Sequence, residues 1–226
     1  MTSSLARFVA VWLWSAGPAL AFDAVPLGGI VPDEVFFRAA TCGAAPGQAC
    51  QIAPVRWPAR EVTVAMLPST VDSSLILRML LSVTLDYAIA QINGAGSGLS
   101  LRRIAGPEAD IRLTLTDVPE GGQIAAVPGV SAAGTMGVGY ASLWWNEAQQ
   151  ITDASILISN QIAPGDIVSV VLEEVFQTTG PLFDIDGPAY EAVSILSQTS
   201  NATITIAGQD ARLLRWLYPP QPLEAP

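Results

Sequence analysis

The sequence predicts a single globular domain of the α+β class. Half of its 226 residues are hydrophobic, which is enough to form a buried core. Two segments, 71–93 and 167–179, carry apolar residues at helical spacing, and short strand-like segments precede the first and lie between the two. The resulting order of strand, helix, several strands and helix indicates an α+β fold.

Residues 1–21 have the pattern of an export signal. Arg7 supplies a positive charge, an apolar run over 8–16 follows, and Ala19-Leu20-Ala21 has the small-x-small pattern that predicts cleavage before Phe22. The alternative is an uncleaved anchor, although the apolar run is shorter than the roughly 20 residues that span a bilayer. We therefore expect a periplasmic or secreted protein with no membrane span after removal of the signal.

Residues 22–55 are predicted to be an N-terminal extension that contains a disulfide. Cys42 and Cys50 are the only cysteines, and a turn-rich segment separates them. An oxidising compartment favours a structural disulfide between them, and their spacing differs from the Cys-x-x-Cys of redox-active pairs. We expect this disulfide to hold the extension against the main domain.

The main domain is predicted to span residues 56–220, with 221–226 as a tail. Its first strand ends before Pro68, and the long helix that follows ends at a glycine-rich breaker over 94–98. The predicted segments are a strand at 61–67, a helix at 71–93, strands at 99–104 and 111–115, an extended stretch at 134–145 and a strand at 154–159.

The last long helix is predicted at residues 167–179. Asp166 is placed as its N-cap, and Gly180-Pro181 ends it. Residues four apart share one face of a helix, so Glu173 and Gln177 point the same way and Glu174 is displaced by about 100 degrees.

The charge of the chain argues against nucleic acid as a partner. The formal net charge is −10, and all ten basic residues are arginine, with no lysine. Nucleic-acid binding depends on clustered basic side chains that neutralise phosphates.

The segment from Leu172 to Gly180 has the spacing of a zinc-protease helix. In the His-Glu-x-x-His motif, two imidazoles one turn apart bind the metal and the glutamate acts as general base. This chain contains no histidine. Glu173 and Gln177 occupy the imidazole positions, while Glu174 keeps the position of the base.

The order of elements, the Glu-Glu-x-x-Gln-x-x-Gly helix and the segments 194–197 and 210–218 together resemble the catalytic domain of metzincin metalloproteases. More closely, they resemble an uncharacterised family of bacterial exported proteins grouped with the zincin peptidases. The resemblance covers roughly residues 56–220 and implies a mixed, twisted sheet with a long backing helix and a second helix that carries the motif.

The resemblance also assigns positions after the motif helix. Gly180 matches the glycine that bends the chain, and Phe183 stands at the position of the third metal ligand, with Asp184 one residue later. Leu196 stands where these proteases have a methionine in the turn beneath the metal.

These replacements change the chemistry that the site can support. Zinc prefers imidazole and thiolate ligands, so no zinc is expected, whereas oxygen donors from Glu173, Gln177 and Asp184 form a weak candidate site for calcium or magnesium. Glu174 is then a vestigial general base. We expect a non-catalytic protein, a pseudo-peptidase, that binds a peptide, a protein or an envelope component. The alternative is a metal-dependent hydrolase that uses Glu174 with an oxygen-ligated metal.

Two further expectations concern single side chains. In metzincins a peptide pairs with the edge strand before the motif helix, which places Tyr140 and Trp144 in a binding groove; alternatively, Trp144 and Trp145 pack on the N-terminal extension. The glutamate pair has a structural alternative too, in which Glu173 and Glu174 form ion pairs with Arg212 or Arg215.

Overall fold

The computed structural model describes residues 24–220. The predicted signal at 1–21, its cleavage before Phe22 and the tail at 221–226 lie outside the described residues. The elements in chain order are β1 (Val25–Pro26), α1 (Asp33–Cys42), β2 (Glu61–Met66), α2 (Leu75–Gly94), β3 (Ser100–Arg103), β4 (Ile111–Thr116), β5 (Gln123–Ile124), β6 (Gly134–Thr135), β7 (Gly139–Trp145), β8 (Ile151–Ser159), α3 (Ile167–Gln177), β9 (Ile185–Asp186), a short 3-10 helix (Pro188–Tyr190) and α4 (Gly208–Leu217).

The main sheet has five strands in the order β3-β2-β4-β8-β7. The first four strands are parallel to their neighbours, and β7 runs antiparallel to β8 at one edge of the sheet. The chain is therefore an α+β protein with a mixed sheet, as the sequence predicts.

The burial of side chains along the strands follows the alternation of apolar and polar residues in the sequence. In β4, Ile111, Leu113 and Leu115 are buried in the main core while the residues between them are half-buried. β8 is buried along most of its length, because helices cover one face of the sheet and the segment between β4 and β7 covers Leu157 on the other. β8 also begins three residues before the predicted strand, since Ile151 pairs with Trp145 of β7.

Helix α2 begins four residues later than predicted. Ser74 caps it by accepting a 3.1 Å hydrogen bond from the Leu77 N–H. The C-terminal half of α2 is buried against α3 and β3. Its N-terminal half exposes a set of large apolar side chains, which are Leu75, Ile76, Met79, Leu80 and Val83.

By length and hydropathy, α2 is also the one helix within residues 24–220 that meets the criteria for a membrane span. Core helices of soluble proteins meet the same criteria. The expected absence of a span in the mature protein therefore stays a prediction.

The N-terminal extension contains a helix, α1, that the sequence did not predict. β1 pairs in parallel with β9, the ring of Phe36 stacks on Tyr190 at 5.5 Å, and the Phe183 N–H donates to the Ala40 carbonyl at 3.1 Å. These contacts make the extension part of the main core.

The predicted disulfide between Cys42 and Cys50 is confirmed, and it fits a protein outside the cytoplasm. Its predicted role is wrong in one respect. Both cysteines belong to the extension, so the bond closes a local loop after α1, and strand pairing and packing hold the extension to the rest of the protein.

Helix α3 begins where predicted and ends two residues early. Asp166 occupies the predicted N-cap position, although its side chain forms no capping hydrogen bond. The helix ends at Gln177 instead of residue 179, and the hydroxyls of Thr178 and Thr179 donate to carbonyls of its last turn. Gly180 then reverses the chain with a φ of 122°, a conformation that favours glycine.

Candidate functional site

A cavity of about 220 Å³ lies between the edge strand β7 and helix α3. Its polar residues come from α3 and from the loop that follows it, while β7 and the segment before it supply the facing wall. The lining residues are Ala132, Thr135, Gly137, Gly139, Tyr140, Ala141, Ser142, Leu143, Trp145, Glu173, Glu174, Gln177, Leu182 and Asp184.

Helix α3 brings the three motif side chains to this cavity. Glu173 and Gln177, four residues apart, are both half-buried. Glu174 points under β7 and is only 8% exposed. Sequence periodicity predicted the shared face of Glu173 and Gln177 but not the depth of Glu174.

Glu174 reaches this depth because position 139 of β7 is glycine. A β-carbon at Gly139 would lie 2.6 Å from Glu174 Cγ and 2.7 Å from Cδ. Real β-carbons do not approach other atoms so closely, so any side chain at position 139 would displace the carboxyl group. Sequence analysis missed this role, although a glycine within a strand pattern is a signal for a close approach.

The turn after α3 places Asp184 at the cavity. The Gln177 Nε2–H donates a 2.7 Å hydrogen bond to Asp184 Oδ1, which joins the helix to this loop. Phe183, the residue at the expected third-ligand position, is instead fully buried in the main core. Neighbouring residues of an extended segment point to opposite sides, so burying Phe183 turns Asp184 toward the cavity.

Burial raises the pKa of every carboxyl group in this cavity. It is the main cause that raises the pKa of Glu174 from 4.5 to about 8; the charge of Asp184 adds to it and a hydrogen bond from the Ala141 N–H opposes it. Burial likewise raises the pKa of Asp184 to about 6, against the lowering effect of the Gln177 hydrogen bond. The pKa of Glu173 lies well above its ordinary value, again mainly through burial and then through repulsion by Asp184, Glu174 and Asp210.

Among the described residues, no basic side chain lines the cavity. The structural alternative for the glutamate pair is wrong, because both candidate arginines have other partners. Arg212 pairs with Asp33, and Arg215 donates a 2.7 Å hydrogen bond to the Ala95 carbonyl. Glu174 Oε2 is buried without a hydrogen-bond partner. At neutral pH Glu174 therefore retains its proton or meets a cation supplied from outside.

The outer edge of β7 borders this cavity, and the Ala141 N–H on that edge donates to the Glu174 carboxyl group. Val138 accepts from the Ser159 N–H, and the Ala154 N–H donates toward β4, so alternation along the ladder directs Val138, Tyr140 and Ser142 toward β8. The backbone groups of Gly139, Ala141 and Leu143 then point to the open side. No strand within residues 24–220 pairs with that side.

The aromatic residues of β7 divide between the two faces of the sheet. Tyr140 lines the cavity, while its ring packs with Ile124, Met136 and Leu157 and its hydroxyl donates to the Ala133 carbonyl at 3.2 Å. Burial, and secondarily the charge of Glu174, raises the pKa of Tyr140.

Trp144, predicted as a groove residue, is not among the lining residues, whereas its neighbour Trp145 is. Trp145 therefore becomes a candidate for contact with a ligand, and a binding role for Trp144 stays a prediction.

A buried aspartate that the sequence analysis missed holds the segment that bonds to the chain next to Asp184. Asp210 of α4 accepts hydrogen bonds from the Ser194 hydroxyl at 2.7 Å and the Ile195 N–H at 2.9 Å. The Leu196 carbonyl in turn accepts a 2.7 Å bond from the Ile185 N–H, next to Asp184. Leu196, expected in the turn beneath the site, is fully buried. An acidic residue in the first turn of an amphipathic helix was the available signal for this role.

The sequence matches no protein-family model and no curated protein. The residues at the cavity therefore have to be interpreted from their own chemistry.

The predicted calcium or magnesium ligands gather around one cavity, since Glu173, Gln177 and Asp184 all line it. Among the described residues, however, no three histidine, cysteine, aspartate or glutamate side chains converge closely enough to hold a metal ion. Metal binding at these positions stays a prediction.

Proposed function

We propose that the protein is an exported, non-catalytic protein with a metzincin-like fold, and that it binds an extended peptide in the cleft between β7 and α3. The outer edge of β7 at Gly139, Ala141 and Leu143 carries this proposal, because no strand within residues 24–220 pairs with it and it borders the cavity that the acidic residues of α3 line. The confirmed disulfide supports a periplasmic or secreted location.

Strand addition is the binding mode that suits such a cleft. A peptide laid along β7 would form main-chain hydrogen bonds with the open edge, and alternate side chains would point into the cavity. The main-chain bonds would supply affinity, and the cavity would select the side chain.

The chemistry of the donors supports a binding role over peptide hydrolysis. A peptidase-type zinc site needs imidazole or thiolate ligands, and the chain has no histidine and its two cysteines form the disulfide. The residues at the cavity therefore do not fit the zinc that the family resemblance implies. Glu174, with a pKa of about 8, holds its proton at neutral pH and is a poor base there.

A peptide-display experiment tests the proposed function. The probe is a random heptapeptide library selected on the mature protein, followed by synthesis of one selected peptide with N-methyl groups at single backbone nitrogens. Strand addition predicts that methylation at alternate residues abolishes binding while methylation at the residues between them has little effect. Failure to select any peptide, or equal tolerance at all positions, would contradict the proposal.

Tryptophan fluorescence places the selected peptide on the protein. Trp145 lines the cavity, whereas Trp216 on α4 is 47% exposed and does not. We expect the fluorescence change on binding to disappear in Trp145→Phe and to persist in the matched Trp216→Phe variant.

The alternative function, an oxygen-ligated metal hydrolase, has a direct test. The mature protein would be purified without chelators and its metal content compared with that of a Glu173→Ala, Gln177→Ala variant. Near-stoichiometric metal in the parent that is lost in the variant would favour the hydrolase over the binding protein.

A further inference from the structure

The cavity contains a cluster of acidic groups that the backbone of a bound peptide cannot neutralise. Three carboxyl groups, Glu173, Glu174 and Asp184, share it with no basic side chain among the described residues. Glu174 is more than nine-tenths buried, and its Oε2 has no hydrogen-bond partner. A backbone N–H at the mouth of the cleft would not neutralise this cluster.

We infer that the cavity receives one organic cation of the bound peptide, which is the side-chain ammonium or guanidinium of a lysine or arginine, or the N-terminal ammonium. This inference rests on the proposed function and specifies its ligand as a basic peptide. The cation donates N–H hydrogen bonds to Glu174 Oε2 and to the carboxyl groups beside it.

The shape of the site favours a cationic side chain over a larger group. A cavity of about 220 Å³ is smaller than the roughly 300–1,000 Å³ of sites for drug-sized ligands, so it accommodates one side chain and not a folded partner. Tyr140 and Trp145 line the same cavity, and aromatic rings are the other side chains that attract cations.

The same geometry disfavours a divalent metal as the occupant. A metal needs several oxygen donors converging at about 2.0–2.6 Å from one point, and the acidic side chains within the described part of the chain form no such group. Ammonium and guanidinium groups instead bind acceptors spread over a wider surface, because each N–H donates to a separate oxygen.

Calorimetry with defined peptides tests the inference. The probes are acetylated alanine heptapeptides whose central residue is lysine, arginine, norleucine or citrulline, together with the all-alanine peptide carrying a free amino terminus. At about pH 7, where the α-amino group is mostly protonated, we expect at least one cationic peptide to bind roughly tenfold or more tightly than its neutral counterpart. The set distinguishes a side-chain cation from the amino terminus.

Three variants test whether the carboxyl groups of the cavity cause the preference for a cationic peptide. Glu174→Gln and Asp184→Asn each keep the shape of the side chain and remove one carboxylate, and we expect each to reduce the preference for the cationic peptide by roughly tenfold. Glu147→Gln is the matched control, because Glu147 is exposed in the turn after β7 and is absent from the cavity lining. It removes the same charge and should keep the preference. Near-ultraviolet circular dichroism checks that all three variants are folded.

The outcomes separate the inference from the proposed function. Equal binding of cationic and neutral peptides would overturn the inference and leave peptide binding intact. No binding of these peptides, with no peptide selected from the library, would overturn both. Calcium that binds in the same cavity and displaces the lysine peptide would overturn the organic-cation assignment in favour of a metal.

Discussion

Glu174 fills the space that a side chain at position 139 would occupy. The β-carbon that Gly139 lacks would overlap the glutamate Cγ and Cδ atoms. Strand β7 and helix α3 therefore approach each other closely at one point, and this contact fixes the carboxyl group inside the cleft.

Gly139→Ala tests the contact. The added methyl group must push Glu174 or β7 aside, which we expect to cost about 1–3 kcal/mol of unfolding free energy, measured by urea denaturation, and to weaken peptide binding. Gly94→Ala is the control, because a β-carbon at the end of α2 meets open space and alanine is the better helix residue. Equal stability of Gly139→Ala and the parent would show that the strand and helix are not in close contact.

The pH dependence of stability follows from the buried carboxyl groups. Between about pH 4.5 and about pH 8 the folded protein holds a proton on Glu174 that the unfolded chain releases, so stability falls as pH rises through this window. Glu173 and Asp184 shift in the same direction and add to the effect.

Glu174→Gln should remove the Glu174 part of this dependence. We expect the variant to match the parent near pH 4.5 and to exceed it near pH 8 by up to about 4 kcal/mol, which is a rise in Tm of about 8–16 °C. Thermal denaturation across this pH range is the measurement. A variant that is less stable than the parent at both ends would show that Glu174 is charged and paired in the folded protein.

Tyr218 joins two distant segments through one hydroxyl group. It accepts a 3.0 Å hydrogen bond from the Trp57 N–H and donates a 2.6 Å bond to the Thr179 carbonyl. Tyr218→Phe leaves both buried groups unpaired and should cost about 1–3 kcal/mol. Tyr87→Phe removes a more exposed hydroxyl that bonds one carbonyl and should cost less than about 1 kcal/mol in the same denaturation experiment.

The disulfide should stabilise the protein without forming the site. Cys42 and Cys50 are separated by eight positions, and closure of a loop of this length contributes roughly 2–3 kcal/mol. The double variant Cys42→Ser, Cys50→Ser should lose about that amount in urea denaturation and still bind the selected peptide, because neither cysteine lines the cavity. Lost binding in a folded variant would contradict this separation.

The two tryptophans at the end of β7 should differ in function. Trp145→Ala removes part of the cavity wall and should weaken peptide binding by roughly tenfold or more, as truncation of a central aromatic residue does elsewhere. Trp144→Ala changes the other face of the strand and should leave the affinity within about threefold of the parent. The reverse ranking, measured by calorimetry, would restore the original assignment of Trp144 to the groove.

Local patterns in the sequence were sufficient for the fold class and for most elements. Alternation predicted β4, and helical spacing predicted α3 with Glu173 and Gln177 on one face. Helix α1 was missed because its burial depends on Tyr190 and α4, more than 150 residues away in the chain. The N-cap position of Asp166 was predicted correctly, but its side chain forms no capping bond, because that geometry depends on backbone angles that composition does not determine.

The sequence by itself determined the α+β class, the pairing of the only two cysteines and the helical face that carries the motif, because each of these depends on periodicity or on counting. The tertiary structure decided which side chains meet. Tertiary packing places Asp184 and not Phe183 at the cavity, and Trp145 and not Trp144 in its lining. It also pairs Arg212 with Asp33 and packs Glu174 against Gly139. Contacts between distant elements depend on how those elements pack, and a local pattern of residues carries no information about that packing.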